Sequence, residues 1–366
     1  MVPTVERLLL GPGPSPVSPR VQRAMSAPVL SHLDPVLVSI LDRIRGQLRE
    51  LFGAPDDAFA FAVSGTGTAG METAVANLTR PGTRATVVVN GYFGDRLAQM
   101  LTRYGATVTR VESEWGRAAD PDALERSLRE SGADVVALVH AETSTGVLNP
   151  AGDLCAAAAR HGALTIVDAV TSLGAHPVET TAWDCDVCYS CTQKGLGAPS
   201  GLAPIVFSAR AQERSRQLGP AATFYFDLGL LKSYWIDRKY HHTISSPLIC
   251  ALSEALDVVA EEGLQARWDR HRHHHEQFVA GLADLGLGLL PAARDRLWSL
   301  NAVRVPDGVD EAAVRRRFLD ERGIEIGSGL GPLAGQIWRV GLMGAGSTSD
   351  NVERLLDAYR SVLRAA

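Results

Sequence analysis

The sequence predicts an α/β fold, with a large domain built on a mostly parallel sheet covered by helices and a smaller C-terminal α+β domain. Two observations favour this fold class. From residue 58 onward, short β-branched or apolar segments alternate with Ala- and Leu-rich helical segments, which is typical of βαβ units. The chain of 366 residues also exceeds the size at which one hydrophobic core usually stops growing. We therefore expect two lobes and a sizeable buried core.

The elements of the first lobe follow one another as pairs of strand and helix. The N-terminal segment GPGPSPVSP, rich in Gly and Pro, is predicted to be an extended arm. The predicted pairs are FAFAVS with METAVANL, RATVVVN with GDRLAQMLTRYG, and DVVALVH with GDLCAAAARHG, followed by the strands ALTIVDAV, DVCYSCT and LAPIVFS. We place the arm at residues 1–18 and the large domain at residues 19–262.

The pattern changes after the segment YHHTISSPL. Residues 250–285 are predicted to form one or two long helices with a Glu- and Arg-rich face. The segments LWSLNAVRVP, GIEIGSG and QIWRVGLM are then predicted strands around the helical segment DEAAVRRRFLDERG. We place the small domain at residues 263–366.

Composition excludes several classes of protein. The formal net charge is only -5, with 46% hydrophobic and 21% charged residues, which indicates a globular protein and no nucleic-acid partner. No apolar run approaches the roughly 20 residues that span a bilayer, and the N-terminus lacks the pattern of a signal peptide. Five cysteines fit reduced thiols better than a disulfide framework. We expect no membrane association and a cytoplasmic location.

The segment FAFAVSGTGTAGMETAVANL places a glycine-rich turn between a predicted strand and a predicted helix. Gly65, Gly67 and Gly70 form a literal GxGxxG, which is the dinucleotide fingerprint. That fingerprint also needs an acid about 20 residues later, whereas the next strand ends in Asn90. A more general prediction is a phosphate cradle made of N–H groups and Thr hydroxyls at a helix N-terminus. A tight turn with glycines for packing alone remains the alternative.

Two further residues follow predicted strands. Asp168 ends ALTIVDAV, and Lys194 follows DVCYSCT, so both are expected at the ligand-binding edge of one open sheet. Each has an ordinary explanation, a helix N-cap for Asp168 and a solvated side chain for Lys194. Together with a phosphate cradle they match the needs of pyridoxal phosphate (PLP). A lysine forms its Schiff base, and an aspartate keeps the pyridine nitrogen protonated so that the ring acts as an electron sink.

A set of motifs in register carries a family resemblance. The motifs are GPGP, SGTGTAGME, NGYFGDR, HAETSTGVLNP, IVDAVTSLGAHP, SCTQKGLGAPSG, YHHT and IWRVGLMG, and they run from residue 8 to about residue 346. The chain resembles the class V, fold-type I PLP-dependent aminotransferases, specifically the alanine glyoxylate and serine pyruvate branch. This resemblance implies a mostly parallel seven-stranded-type sheet, a PLP cofactor and a homodimer.

The resemblance also implies roles for individual residues. It makes Lys194 the Schiff-base lysine and Asp168 the partner of the pyridine nitrogen, with Val170 beneath the ring and Phe93 stacked on its other face. Ser144 approaches the ring hydroxyl. The residues that hold the phosphate and its surroundings are Thr66, Gly67, Thr68 and Gln193.

Three more residues are assigned by the same resemblance. Tyr240 and Thr243 reach the phosphate of the neighbouring subunit, so the homodimer is implied to be obligate, with two shared sites. Arg339 clamps the substrate carboxylate, a task suited to a planar fork that bonds two oxygens at once. Without the family context, Arg339 reads as a surface arginine on a strand.

Two positions depart from the family pattern and bear on the substrate. The alanine glyoxylate branch usually has His at the position of Thr68 and Trp at the position of Phe93. The threonine and the segment HAETSTGVLNP are closer to the aminoethylphosphonate branch, whereas YHHT and IWRVGLMG are not. Phe93 also argues against the cysteine desulfurases, which resemble the same fold but place a His over the ring.

Two clusters suggest metals, and for both we prefer an ordinary interpretation. Cys185, Cys188 and Cys191 have an iron–sulfur spacing, but strand alternation separates them and no fourth ligand is near. The histidines of RHRHHHEQ could bind zinc, but we expect them to lie on a solvated helix face; they are His271, His273, His274 and His275. The sequence therefore predicts no metal site.

The sequence predicts a PLP-dependent aminotransferase. It would move an amino group from a small α-amino acid, alanine- or serine-like, to an α-keto acid such as glyoxylate or pyruvate. The alternatives are a 2-aminoethylphosphonate-type transaminase, and a PLP-dependent lyase or decarboxylating deaminase acting on a sulfur-containing or natural-product amino acid. A binding or regulatory module without turnover is a third class. We also expect Gly195, Gly197 and Gly201 to leave room for the moving amine of Lys194.

Overall fold

The computed structural model describes residues 5–363. Its strands, in chain order, are β1 Leu8–Leu9, β2 Phe59–Ser64, β3 Arg84–Val89, β4 Thr107–Glu112, β5 Val135–Val139, β6 Ala141–Glu142, β7 Val147–Leu148, β8 Leu164–Asp168, β9 Val187–Tyr189, β10 Leu202–Phe207, β11 Leu300–Arg304, β12 Ile324–Glu325, β13 Gly327–Ser328 and β14 Ile337–Gly341. Its α-helices are α1 Pro19–Met25, α2 Pro35–Leu51, α3 Gly67–Leu78, α4 Tyr92–Arg103, α5 Pro121–Ser131, α6 Ala151–Arg160, α7 Ala209–Leu218, α8 Leu228–Asp237, α9 Ser246–Glu262, α10 Leu264–Asp284, α11 Glu311–Arg322 and α12 Ser349–Leu363.

A seven-stranded sheet forms the centre of the larger lobe, in the order β2-β10-β9-β8-β5-β3-β4. Only β10 runs antiparallel to its neighbours, so the predicted mostly parallel sheet is confirmed. The segments VVALV of β5 and LTIVD of β8 are buried at every position. Strands that are buried along their whole length are expected where helices cover both faces of a parallel sheet.

The carboxyl ends of these parallel strands bring the polar segments of the sequence to one edge. β2 leads into the glycine-rich turn before α3, β3 into the start of α4, and β5 into the turn after β6. β8 ends at Asp168, and β9 leads towards Lys194. Residues that are far apart in the sequence therefore meet at the edge where open α/β sheets bind their ligands.

The C-terminal lobe has its own antiparallel sheet, ordered β11-β14-β13. A separate hydrophobic core lies against it and contains Phe278, Phe318, Trp338 and Tyr359. The predicted strands and the helix between them are present, and the predicted helical region of 250–285 is two helices separated at Gly263, which has a φ of +79°. The boundaries 1–18, 19–262 and 263–366 stay a prediction.

The N-terminal arm crosses between the lobes. β1 pairs in parallel with β12, with Leu8 opposite Ile324, and Leu10 is fully buried in the C-terminal core. Beyond Leu10 the chain is irregular up to α1, as its Gly and Pro content predicts. The arm thus belongs by its pairing to the C-terminal lobe while it leads into the large one.

The expectation of a solvated histidine face on α10 was wrong. His271, His274 and His275 are buried, and only His273 is exposed. Gly344 N–H donates to His271 Nε2 over 3.0 Å, and His275 Nδ1 lies 2.7 Å from Asn301 Oδ1. These rings therefore serve as hydrogen-bonding groups where α10 packs against other segments of the C-terminal lobe.

The three clustered cysteines do not lie on one strand. Cys185, Cys188 and Cys191 are all buried, but β9 extends only over Val187–Tyr189.

Within residues 5–363, no helix is both long and apolar enough to cross a membrane.

Candidate active site

Lys194 lies in the loop after β9, where its amine is enclosed by the N-terminal arm. Its Nζ donates a hydrogen bond to the carbonyl of Pro12, and the hydroxyl of Ser15 donates to the Lys194 carbonyl over 2.8 Å. Burial lowers the pKa of Lys194, and the nearby positive charge of Arg339 lowers it further. A lysine with a depressed pKa supplies more of the neutral, nucleophilic amine at neutral pH.

Gly13 allows the arm to pass this close to the lysine. Its φ is +106°, and a Cβ at this position would lie 2.6 Å from Lys194 Cδ. An L-side chain is therefore excluded both by the backbone conformation and by the lysine. The GPGP segment thus forms part of the wall around the amine.

Asp168 is buried beside Lys194 at the end of β8. Its Oδ1 accepts from Val170 N–H over 2.8 Å, and its Oδ2 accepts from the Tyr189 hydroxyl over 2.7 Å. Burial raises the pKa of Asp168 to about 6, although these two hydrogen bonds oppose the rise. No lysine or arginine forms an ion pair with this carboxylate in the described part of the chain. Both of its hydrogen-bond donors are neutral, and the positive charges of Arg96 and Lys194 also lower its pKa.

The glycine-rich turn before α3 lies next to Val170 and Cys191. Thr66 is the N-cap of α3, and its side chain makes no capping hydrogen bond. A Cβ on Gly67 would lie 3.0 Å from Val170 Cγ2 and 3.4 Å from Cys191 Cβ. The first N–H groups of a helix have no partner within the helix, so this turn offers donors to an anion next to Val170.

Thr68 and Gln193 lie at the border of that turn. Thr68 is exposed and accepts a 3.3 Å hydrogen bond from Arg96 Nη1. The Oε1 of Gln193 is buried without a hydrogen-bond partner among the described residues. A buried side-chain oxygen of this kind calls for an explanation, such as a ligand.

Phe93 stands in the first turn of α4 and is half-buried. The Arg96 guanidinium lies 5.1 Å from the centroid of the Phe93 ring. Ser144 is fully buried, accepts a hydrogen bond from Tyr92 N–H over 2.9 Å, and donates to Glu142 Oε1 over 2.6 Å. The start of α4 and the turn after β6 are therefore joined by side chains.

Arg339 comes from β14 of the C-terminal lobe and is buried, with 7% of its surface exposed. Its Nε donates to the Ser328 carbonyl over 2.6 Å, and its two terminal nitrogens have no hydrogen-bond partner within residues 5–363. Burial lowers the pKa of Arg339 to about 10, so it stays charged at neutral pH. Pro12 and Arg339 both lie close to Gly327, since a Cβ there would be 2.8 Å from Pro12 Cγ and 3.6 Å from Arg339 Cβ.

Tyr240 and Thr243 are placed differently from the other predicted residues. Both are exposed, and Tyr240 packs edge-on against the His32 ring at 5.1 Å. The neighbouring His242 is buried, and its Nε2 lies 2.8 Å from Ser64 Oγ at the end of β2. Within the chain as described, neither Tyr240 nor Thr243 forms a side-chain hydrogen bond.

The glycines that follow Lys194 have a structural role besides the predicted one of leaving room for the amine, which stays a prediction. A Cβ on Gly195 would overlap the Leu173 carbonyl oxygen, and Gly197 and Gly201 have φ values of +69° and +131°. The loop after the lysine therefore needs glycine for close backbone packing and for its left-handed conformations.

Sequence reasoning missed several residues of this site. Tyr189, Glu142 and Arg96 contact predicted site residues but had not been singled out. An acidic residue shortly after a strongly apolar strand is the signal that could have found Glu142, which lies in β6 just beyond β5. No local sequence pattern could have identified Pro12, because its contact with Lys194 joins residues that are 182 positions apart in the sequence.

These residues fit PLP. Asp168 would accept a hydrogen bond from the protonated pyridine nitrogen, and the turn before α3 would receive the phosphate. The unpartnered Gln193 oxygen lies in the lysine loop. Lys194 supplies the amine for a Schiff base. The fold and the site together define the class of fold-type I PLP-dependent enzymes.

Comparisons with known proteins give the family. A sequence profile of the class-V aminotransferases matches residues 21–355, and the chain belongs to this family. It is 37% identical to the (S)-ureidoglycine–glyoxylate transaminase of Bacillus subtilis over 98% of this chain and 90% of that protein. It is 35% identical to the alanine–glyoxylate aminotransferase of Drosophila melanogaster over 98% and 93% of the two chains.

A solved structure agrees with these relatives. The alanine–glyoxylate aminotransferase of Nostoc sp. superposes with a TM-score of 0.97 at 43% identity, over 100% of this chain and 98% of that one. The protein is therefore a PLP-dependent class-V aminotransferase, as the sequence predicts. The roles of the individual site residues are proposals.

Proposed function

We propose that the protein moves the amino group of a small α-amino acid, alanine- or serine-like, to an α-keto acid such as glyoxylate or pyruvate. The observation that carries this proposal is Arg339, a buried cation whose terminal nitrogens have no hydrogen-bond partner in residues 5–363 and whose charge is near enough to Lys194 to lower the pKa of that lysine. A fork of this kind binds a carboxylate through two parallel hydrogen bonds. The names of relatives that use glyoxylate support the choice of acceptor.

Each site residue has a part in this proposal. When bound, PLP supplies an electron sink for charge on the substrate Cα. Lys194 holds the cofactor and then moves the Cα proton with its Nζ, because burial lowers its pKa. Asp168 holds the proton on the pyridine nitrogen. Arg339 orients the substrate so that the Cα proton faces the lysine.

The remaining predicted residues enclose the cofactor. Val170 and Phe93 would lie on the two ring faces, and Ser144 near the ring hydroxyl. The phosphate would be held by Thr66, Gly67, Thr68 and Gln193. Support comes from the proximity of Gly67 to Val170 and from the free hydroxyl of Thr66.

A donor and acceptor screen with product analysis tests the proposed reaction. We expect alanine or serine with glyoxylate to give glycine and the matching keto acid in equal amounts. (S)-Ureidoglycine belongs in the screen because one relative is named for it. Release of ammonia or carbon dioxide without an acceptor would instead show a lyase or a decarboxylating deaminase.

We further propose that the active unit is a homodimer in which Tyr240 and Thr243 reach the phosphate of the neighbouring subunit. Their exposure supports this, and so does the presence of exposed apolar side chains on nearby segments, including Leu33, Tyr225 and Ile236. Exposed apolar patches of this kind mark protein interfaces. Mixing Lys194→Ala with Tyr240→Ala chains under subunit exchange should restore activity, whereas a site built within one chain would stay inactive.

A further inference from the structure

Glu142 is a buried carboxylate that joins two parts of the site. Its Oε2 accepts from the N–H groups of Phe93 and Gly94, each over 3.2 Å. Its Oε1 accepts from Ser144 N–H over 3.1 Å and from the Ser144 hydroxyl over 2.6 Å. Two donors thus come from the start of α4 and two from the turn after β6.

This carboxylate occupies the place of a helix cap. The N-cap residue of α4 is Gly91, which has no side chain to receive the first N–H groups of the helix. Those groups are free donors with a partial positive charge. Glu142 satisfies two of them from another strand, so the position of Phe93 depends on it.

Gly91 also keeps room for this arrangement. A Cβ at Gly91 would lie 2.6 Å from Ser144 Oγ and would overlap the side chain of Glu142. The φ of Gly91 is -180°, a conformation that any residue adopts. An alanine at this position would therefore act on Glu142 and Ser144 through contact alone.

Glu142 also interacts electrostatically with other charged residues of the site. Burial raises the pKa of Glu142 to about 7, and the negative charge of Asp168 raises it further, while hydrogen bonds from Ser144 and Gly94 lower it. The charge of Glu142 in turn raises the pKa of Arg339 against the effect of burial. Glu142 therefore lies within electrostatic reach of both Asp168 and Arg339.

We propose that Glu142 is a positioning residue that fixes Phe93 and Ser144 together against the cofactor by capping α4 from the neighbouring strand. The inference rests on the proposed roles of Phe93 and Ser144. It adds that one shared carboxylate holds both residues in position. Loss of that carboxylate would loosen both the contact of Phe93 with the cofactor ring and the contact of Ser144 with the ring hydroxyl.

The test is a PLP titration of the cofactor-free protein, followed by absorbance and by the visible circular dichroism of bound PLP. In Glu142→Gln the amide NH2 leaves at least one of the four donors without an acceptor. We expect the Kd for PLP to rise about tenfold to a hundredfold and the circular dichroism per bound PLP to fall. Gly91→Ala, which keeps the carboxylate but displaces it, should change both in the same direction.

Glu311→Gln is the matched control, because Glu311 is also buried but pairs with Arg315 in the C-terminal lobe. It should bind PLP as the parent does. If Glu142→Gln fails to fold, Gly91→Ala and Ser144→Ala carry the test. The inference is overturned if folded variants at positions 142 and 91 keep the parental Kd and dichroism. Failure of the parent to bind PLP would instead refute the proposed function.

Discussion

Lysine is scarce in this chain, which makes Lys194 unusually easy to test. The only other lysines in the sequence are Lys232 and Lys239, and both are exposed. Borohydride reduction of the PLP-loaded protein should leave the cofactor on the peptide that contains Lys194. Lys194→Ala should remove this adduct and lower turnover by at least about a thousandfold, since catalysis loses its proton carrier.

Peptide mapping by mass spectrometry gives the readout, and Lys232→Ala with Lys239→Ala gives the control. A reduced adduct on Lys232 or Lys239 in the parent protein would contradict the assignment of Lys194.

A second prediction concerns the binding of the substrate carboxylate by Arg339. In Arg339→Gln the planar cation is replaced by a neutral amide, so a charge-assisted hydrogen-bond pair to the substrate carboxylate is lost. We expect KM for the amino acid to rise about tenfold to a hundredfold, with a smaller change in kcat. Steady-state kinetics measure this split.

The control for Arg339 is Arg304→Gln. Arg304 lies on the paired strand β11 and is exposed. Its replacement should leave KM unchanged, and an equal rise in both variants would argue against a specific carboxylate clamp.

At this scale the sequence predicted the residues that follow strands and missed those that join distant segments. Asp168 and Lys194 each come after a recognisable strand, so their convergence follows from sheet topology. Glu142 and Tyr189 show their importance only through contacts with Phe93, Ser144 and Asp168. Such contacts depend on side-chain geometry, which no local pattern encodes.

At the scale of elements, α10 supports the loop that carries Lys194. Arg267 near its start is buried, with Nε donating to the Gly174 carbonyl over 2.9 Å and Nη2 to the Gly195 carbonyl over 2.7 Å. Its Nη1 forms an ion pair with Glu262 at 2.6 Å. One side chain therefore anchors the helix to the two loops that pack against each other beside the lysine.

Arg267→Met should lower the free energy of unfolding by about 3 kcal/mol, because it leaves two buried carbonyls and a carboxylate short of a donor. Denaturant titration measures the loss. Arg272→Met, five residues along the same helix, removes an exposed i,i+3 pair with Asp269 and a guanidinium that lies 5.8 Å from the Trp298 ring centroid, and should cost no more than about 1.5 kcal/mol. Equal losses in the two variants would mean that the buried contacts of Arg267 contribute nothing specific.

The same helix shows where pattern reasoning about elements fails. The existence of α10 could be predicted from its composition, but the burial of His271, His274 and His275 could not. A histidine-rich segment is polar by composition, and only its packing against Gly344, Ser347 and Asn301 makes these rings internal. Polar residues enter an interior when each finds a partner there.

For the whole molecule, the buried side chains of His140 and His271 predict that the folded state loses stability in acid. Burial lowers the pKa of both His140 and His271 to about 3, whereas an unfolded histidine titrates near 6.5. Below about pH 6.5 the unfolded chain binds protons that the folded chain does not. Stability is therefore complete above that pH and falls towards pH 3, by up to about 1.4 kcal/mol per pH unit for each ring.

Glu142 and Asp168 act in the opposite direction. Burial raises their pKa values to about 7 and about 6, so the folded state binds more protons and loses stability as the pH rises through this range. Denaturation midpoints of the cofactor-free protein at pH 7, 6 and 5 measure the balance. We expect His271→Gln to show a shallower decline below pH 6 than the parent, and a parallel decline would contradict a neutral His271.

The division into lobes was predictable from the change of pattern after residue 250, but the path of the arm was not. The segment GPGP indicates irregular backbone and nothing about its destination. It is the parallel pairing of β1 with β12 that directs the arm past Lys194 to the C-terminal lobe.

That pairing has a consequence for synthesis on the ribosome. Leu8 is synthesised about 300 residues before its partner Ile324. The large lobe has its own core and can begin to fold during translation, while the arm has to wait. The enclosure around Lys194, which needs Pro12, therefore cannot be completed until β12 has been synthesised, and a chain released before that point would carry an open site.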